Sequence, residues 1–384
     1  MSKQSPFASL GQFIRVIVKA LVIVAALNTA LLALDVNPVR KLVRLNTYDL
    51  LGRGRPRLVY PSDFQNGQLP LDALLAMHEL SQPKEPGEYR VVLLGESGVA
   101  GWGVEDSETL AAQLTARGVW VNGDRVVAYN LAYPHPNVAR DLLILDAALP
   151  YRPDLVVWFL SPAAVNDDPE SAGPNRVFFG LHRKRLRALA EQYPALFGGW
   201  YNAHAAALLP EEPSWYAFSA IREQELLPIW LNAQFYPFIP PDLARSERRI
   251  GTEPAPEEAR YMDGHPGFRT MPNVTWDVLR AGCVHARSGG SGLLLVNEPM
   301  AINGGPPASR TYNALYGRAL YDRYRAALTA FTERYGIAYA DLWDAVPPER
   351  FTDTPLHTDA RGFGILADAL AKRLAAAEEG SDCR

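Results

Sequence analysis

Three short runs of this chain are almost wholly aliphatic or aromatic: Arg90 to Leu94 (RVVLL), Asp154 to Leu160 (DLVVWFL) and Gly292 to Val296 (GLLLV). A strand built from such a run has no face to turn toward water. It belongs in the interior of a parallel sheet covered by helices on both sides. The first run ends in Gly95-Glu96-Ser97-Gly98. Glycine on both sides of a serine lets the backbone turn sharply and leaves the hydroxyl open at the strand's carboxyl end, where ligands bind in open α/β sheets. Ser97 is therefore the candidate nucleophile. A lone match of this kind is more often only a strand-to-helix turn, so a base and an oxyanion stabiliser must be found elsewhere in the chain.

The rest of the chain keeps the same rhythm. A helix is expected over Glu108 to Arg117, a second strand over Val126 to Asn130, and a helix over Val138 to Leu149 with Asn137 as N-cap. The third strand, Asp154 to Leu160, runs into SPAAVNDD. After the fourth strand, Arg310 to Tyr335 reads as a long helix with Leu320, Tyr324, Leu328 and Phe331 on one stripe, ended by Gly336 in the left-handed conformation. Ile337 to Ala340 is a fifth strand and Gly362 to Leu374 a last helix. Strands and helices alternating at short intervals predict a three-layer α/β/α sandwich around a mainly parallel five-stranded sheet, formed by residues 88–167 and 291–376. Residues 168–290 break the rhythm. They are rich in proline and aromatics, with Trp200, Trp215, Trp230 and the run Phe235-Tyr236-Pro237-Phe238. An insertion of helix and loop, packed over the active edge of the sheet, is expected there.

The amino terminus differs in kind. Phe13 to Leu34 reads FIRVIVKALVIVAALNTALLAL. With Arg15 and Lys19 snorkelling to the interface it is long enough for one membrane helix. A cleaved signal peptide is the rival, but no clean small-x-small site follows, which favours an uncleaved single-pass anchor. Lys3, Arg15 and Lys19 precede its core and Arg40, Lys41 and Arg44 follow it, so positive charge does not choose a side. Residues 1–12 and 377–384 read as tails. Residues 35–87 read as a juxtamembrane segment with a short helix near Leu71 to Leu80. A net charge of −4 gives no electrostatic case for a nucleic-acid partner. Cys283 and Cys383 lack metal-ligand spacing, and sequence neither argues for nor excludes a disulfide between them. No cluster of Cys or His suggests a metal, and no cofactor is implied.

A serine becomes a nucleophile at neutral pH when a base lies within hydrogen-bond reach, usually a histidine oriented by a carboxylate, and when N–H donors await the oxyanion. His357 lies in FTDTPLHTDARG, in the last loop before the last helix and four residues after Asp353. Asn166 follows the third strand, and the Asn130 to Asn137 loop follows the second. Gly95-Glu96-Ser97 with the following GWGV, Asn166-Asp167, and the Asp353 and His357 pair resemble the sequence blocks of the SGNH (GDSL-type) hydrolases, with Gly-Glu-Ser for the usual Gly-Asp-Ser. The resemblance covers about Arg90 to Asp167 and Gly292 to Leu374. It implies a flavodoxin-like fold, Ser97 as nucleophile, His357 as general base and Asp353 as its orienter. The Ser97 N–H and the Asn166 amide would then serve the oxyanion. Two positions depart from the pattern. Ala132 takes the place of the glycine that supplies a third donor. Thr354 stands where the family's acid commonly does, three residues before the histidine. Asp359 is the second candidate orienter, and a Ser–His dyad the third arrangement. Glu96 is expected to hydrogen-bond the loop backbone, and His135 is a candidate substrate contact.

The resemblance implies an ester hydrolase acting through an acyl-enzyme on a small-molecule, lipid or glycan ester. Membrane-anchored members include O-acyltransferases of envelope polysaccharides, which would use the same site. They face outward, which implies a domain outside the cytoplasmic membrane. A catalytically silent envelope scaffold, binding glycan through the aromatic insertion, is the reading from a different class.

Overall fold

The computed structural model describes residues 10–34, 56–58, 71–166, 176–208, 249–262, 273–304, 310–377 and 382–383. Asp167, Asp168, Trp215, Trp230 and the aromatic run 235–238 lie outside the described residues. In chain order the elements are α1 (Leu10–Leu34), α2 (Leu71–Ala76), β1 (Glu88–Leu94), α3 (Ser97–Ala100), α4 (Leu110–Ala116), β2 (Trp120–Val121), β3 (Asp124–Asn130), α5 (Val138–Ala148) and β4 (Leu155–Leu160). There follow α6 (Arg176–Leu181), α7 (Arg183–Gln192), α8 (Gly198–Leu208), α9 (Asn273–Ser288), β5 (Gly292–Asn297), α10 (Arg318–Tyr335), β6 (Ala338–Asp341) and α11 (Ala360–Ala377).

The strands form one sheet in the order β2-β3-β1-β4-β5-β6. The five expected strands are mutually parallel. Counted among themselves they run 2-1-3-4-5, the doubly wound order whose switch point lies at the carboxyl end of the first strand. The chain leaves β1 for β3 on one side and comes back to β4 on the other, so a crevice opens where Gly95 follows Leu94. The sixth strand is an antiparallel edge of two residues. It is joined to β3 by Asn122 and Gly123, both at positive φ (52° and 89°), as a two-residue hairpin of primed type requires.

The pleat divides the core in two. Val92, Leu94, Val156, Trp158, Leu160, Leu293 and Leu295 face α5, α9 and α10. Val91, Leu93, Val157, Phe159, Leu294 and Val296 face α4 and α11. Each of these strand side chains is at most 2% exposed, so each contributes on the order of 2 kcal/mol of burial. The Asn137 cap is present, its Oδ1 accepting from the N–H groups of Ala139 and Arg140. Gly336 ends α10 at φ 61° with its N–H on the Thr332 and Glu333 carbonyls. Helix α10 starts eight residues later than the periodicity suggests. Asn313 Oδ1 accepts from the N–H groups of Leu315 and Tyr316, and this local turn competes with the helix.

Residues 273–288, counted above within the insertion, are the β4-to-β5 crossover. Val278, Leu279, Ala281 and Cys283 of α9 are fully buried. Gly282 sits against the Trp158 ring so closely that a Cβ there would lie 2.4 Å from Cζ3. Phe178, Phe179, Leu186, Phe197 and Trp200 join the same core layer, so this part of the insertion thickens the α5–α9 face. Residues 249–252 lie along the loop that carries His357, with the Ile250 N–H donating to the Thr352 carbonyl. Leu71, Leu74, Leu75 and Leu80 are also core residues. Cys283 and Cys383 form a disulfide that fastens the carboxyl tail to α9. Helix α1 contrasts with all of this. Over Leu10 to Leu27 its mean hydropathy is 2.1 and none of it is buried; it is long and apolar enough to cross a membrane.

Candidate active site

The strand order brings three remote loops to the switch point. Gly95 leads out of β1 at φ 152°, and a Cβ there would lie 3.0 Å from Val99 Cγ2 and 3.1 Å from Phe159 Cβ. Only glycine fits such a turn. Ser97 then opens the one-turn helix α3, whose first N–H groups have no acceptor within the helix. From the far end of the chain, the loop between β6 and α11 crosses over it. The Leu356 carbonyl packs so close to Gly98 that a Cβ there would lie at 2.9 Å.

That approach sets His357 Nε2 2.9 Å from Ser97 Oγ and His357 Nδ1 3.0 Å from Asp353 Oδ1. The His357 side chain is 10% exposed. The extra residue between acid and histidine is absorbed by the loop. Thr354 Oγ1 accepts from the N–H groups of Leu356 and His357, and the Thr352 N–H donates to the His357 carbonyl at 2.8 Å. Thr352 Oγ1 also donates to Asp353 Oδ1 at 3.0 Å. The hydrogen bond from His357, aided by its charge and by Thr352, holds the Asp353 carboxyl at about 2. Asp353 is therefore ionised at neutral pH, as an orienter of imidazolium must be. Asp359 does different work: its Oδ1 accepts from the Gly362 N–H at the start of α11, and Oδ2 lies 3.5 Å from Arg350 and 3.8 Å from Arg249.

The residues expected to serve an oxyanion are less uniform. Asn166 ends the turn that follows β4, the strand beside β1, and is buried. Ala132 has an ordinary negative φ, so alanine sits there without strain. Its N–H, however, is given to Asn130 Oδ1 at 3.2 Å, and the Asn130 amide donates to the Val99 and Ala100 carbonyls. Asn130 thereby ties the β3 loop to α3. His135 is exposed at φ 67°. Its carbonyl and that of Pro134 accept from Arg140 Nη1, while Arg140 Nη2 donates to the Gly95 carbonyl at 3.2 Å. Arg140 thus holds the loops on either side of the crevice, its own charge met by buried Asp141.

Three contributors went unread in the sequence. Trp102, in the GWGV stretch, stacks on His357 with ring centroids 6.2 Å apart. Ser161 and Glu298 lie at the strand ends beside Glu96, the residue before Ser97: Glu96 Oε1 accepts from Ser161 Oγ at 2.5 Å and makes no bond as the cap of α3. The expected bond from Glu96 to the loop backbone is replaced by the one from the Ser161 hydroxyl. The signal for Ser161 and Glu298 was the strand register, since Leu160 pairs with Asn297, which sets the next residues side by side.

A hydroxyl on an imidazole whose other nitrogen meets an ionised carboxylate is the arrangement of serine acyl transfer. Among the described residues no group of His, Cys, Asp and Glu is arranged to hold a metal ion.

No protein-family model matches the chain, and no curated protein matches it. Solved structures similar to it include the psychrotrophic esterase EstA from Pseudoalteromonas sp., at 12% identity and TM-score 0.39 over 75% of this chain and 97% of that one. A lipase/acylhydrolase from Enterococcus faecalis matches at 13% identity and TM-score 0.38, over 75% and 96%. A catalytic mutant of an acetylxylan esterase from Geobacillus stearothermophilus matches at 12% identity and TM-score 0.37, over 74% and 93%. The geometry at Ser97, not these distant likenesses, is the ground for a functional reading.

Proposed function

We propose that this chain is a serine-dependent ester hydrolase that works through an acyl-enzyme on Ser97. The observation that carries the reading is the continuous line from Ser97 Oγ through His357 to Asp353, at 2.9 and 3.0 Å. Ser97 Oγ attacks the ester carbonyl carbon as His357 Nε2 takes its proton. Asp353 steadies the imidazolium through Nδ1–H. The oxyanion is met by the Ser97 N–H and the Asn166 amide. His357 then returns the proton to the departing alcohol oxygen. Water enters, His357 removes its proton, and the acid leaves as Ser97 is restored. A sugar hydroxyl entering in place of water would make the same site an O-acyltransferase.

Residues 13–34 serve as a single-pass anchor in the cytoplasmic membrane, with the catalytic domain on the outer side. What supports that side is the Cys283–Cys383 disulfide, a bond that persists in oxidising compartments. The ester substrate, small or borne on an envelope glycan or lipid, would come from that side.

The test is hydrolysis of p-nitrophenyl acetate by the purified full chain, with and without an added oligosaccharide acceptor. Turnover that is lost in Ser97→Ala is expected. Release of p-nitrophenol accelerated by the sugar would assign the transferase. A folded wild-type protein without turnover would overturn the enzyme reading in favour of a scaffold.

A further inference from the structure

Glu96 and Glu298 bring two carboxyl groups into one dry space beneath the nucleophile. Glu96 is 5% exposed and Glu298 3%. Glu96 Oε1 accepts from Ser161 Oγ at 2.5 Å, and Glu298, set beside Ser161 by the strand register, is near enough for the two carboxyls to act on each other. Glu298 Oε1 has no hydrogen-bond partner and is buried. Among the described residues neither carboxyl has a cation partner, and Arg140 is paired with Asp141. The groups facing Glu298 are Glu96 from the β1 loop, Asp141 with Arg140 from α5, and the buried hydroxyls of Tyr316, Tyr321 and Tyr324 from α10 and the turn before it. Two carboxylates crowded into one dry space without a cation resist being charged together. A proton shared by the pair relieves that repulsion.

We propose that Glu298 is a positioning residue: it carries the proton that joins it to Glu96, and through this joint the nucleophile loop is locked to the loop bearing Asn166. The link runs through named atoms. Glu96 immediately precedes Ser97 and its carbonyl accepts from Val99 and Ala100, shaping α3. Ser161 gives its hydroxyl proton to Glu96 and accepts at Oγ from the Ala164 N–H at 3.2 Å, inside the turn that ends at Asn166. Three neighbouring strand ends, β1, β4 and β5, are thereby tied into one polar joint under the site. Burial first, and then the charge of Glu96, push the Glu298 carboxyl well above the usual carboxylate range. The proton is therefore held more tightly than on an ordinary carboxyl, and it leaves as pH rises. Its loss sets two like charges against each other and loosens both loops.

This inference rests on the hydrolase reading, and its test separates the two. The full chain in detergent is assayed for kcat and KM on p-nitrophenyl acetate across pH, as wild type, Glu298→Gln and Glu298→Ala. Wild-type kcat is expected to fall reversibly on an alkaline limb. Glu298→Ala is expected to lose about ten- to a hundredfold in kcat with KM within about twofold, as displaced catalytic groups do. Glu298→Gln, whose amide N–H replaces the carboxyl O–H, is expected to recover most of that loss and to lack the limb. A limb unchanged in Glu298→Gln, or a wild-type kcat in Glu298→Ala, would overturn the proposal. Infrared difference spectra of wild type against Glu298→Gln supply a readout free of activity. A protonated-carboxyl carbonyl band at neutral pH is expected, bleached in alkali, and its absence refutes the shared proton even if Ser97 proves inert. An inert Ser97 with the band present removes the hydrolase reading and leaves the joint standing.

Discussion

Replacing Asp353 with asparagine isolates the orienting carboxylate from everything else in the site. Asn is isosteric, so the loop held by Thr352 and Thr354 stays folded. Two losses follow. The charge-assisted bond from His357 Nδ1 at 3.0 Å becomes neutral, which removes on the order of 2 kcal/mol from the imidazolium state, or about 30-fold in rate. An amide N–H presented to Nδ1 also favours the tautomer with its proton on Nε2, facing Ser97, which removes the acceptor that the hydroxyl needs. When the acid is fully buried the combined loss approaches about 10⁴. The Asp353 side chain is 36% exposed, so water competes for Nδ1 and about 10³ in kcat/KM is expected. The assay is p-nitrophenyl acetate hydrolysis by wild type, Asp353→Asn and Asp359→Asn side by side. Asp359 caps α11 and meets arginines, and its variant should stay within about threefold of wild type. Asp353→Asn within tenfold of wild type, or Asp359→Asn equally damaging, would refute the assignment of the orienter.

Three further outcomes follow from the same geometry. Asn166→Ala should lower kcat by about 10²- to 10³-fold and KM far less; steady-state kinetics showing a loss under about fivefold would remove Asn166 from the oxyanion site. Asp353, held at about 2 against an ordinary 3.8, contributes stability that is complete above the higher value and is lost as pH falls through the lower. The difference corresponds to a ceiling of about 2.4 kcal/mol, roughly halved for solvent screening, so urea melts near pH 5 and pH 2 should lose about 1 kcal/mol more for wild type than for Asp353→Asn. Gly282→Ala, with its Cβ 2.4 Å from the Trp158 ring, should cost about 1–3 kcal/mol by overpacking, and an unchanged melting temperature would contradict the close α9–sheet contact.

The parallel strands were legible because a run such as Leu155 to Leu160, buried along its whole length, leaves no other place for itself. Ser97 and His357 were legible because each lies in a short local pattern at a strand end, although 260 residues separate them. What escaped was set by pairing across the sheet. Glu298 follows β5 with no local mark of its importance, and only the Leu160–Asn297 register brings it under Ser97. Strand β2 was missed for the opposite reason: Asn122-Gly123 is a strong hairpin signal, but the strand before it is only two residues long. Helix α9 reads as part of the aromatic insertion because Trp276 and Cys283 lie within it; its role emerges from Gly282, which lets it approach Trp158. The commitment of the Ala132 N–H to Asn130 is a contact between loop atoms that no periodicity reveals.

The central claim is that Ser97 is a nucleophile activated by His357, and a serine-directed fluorophosphonate tests it most directly. Incubated with the full chain and mapped by peptide mass spectrometry, the probe should leave a single phosphonyl adduct on Ser97. In His357→Ala that labelling should slow by about a thousandfold or more. A folded wild-type protein that takes no label, or a His357→Ala variant that labels at the wild-type rate, would contradict it.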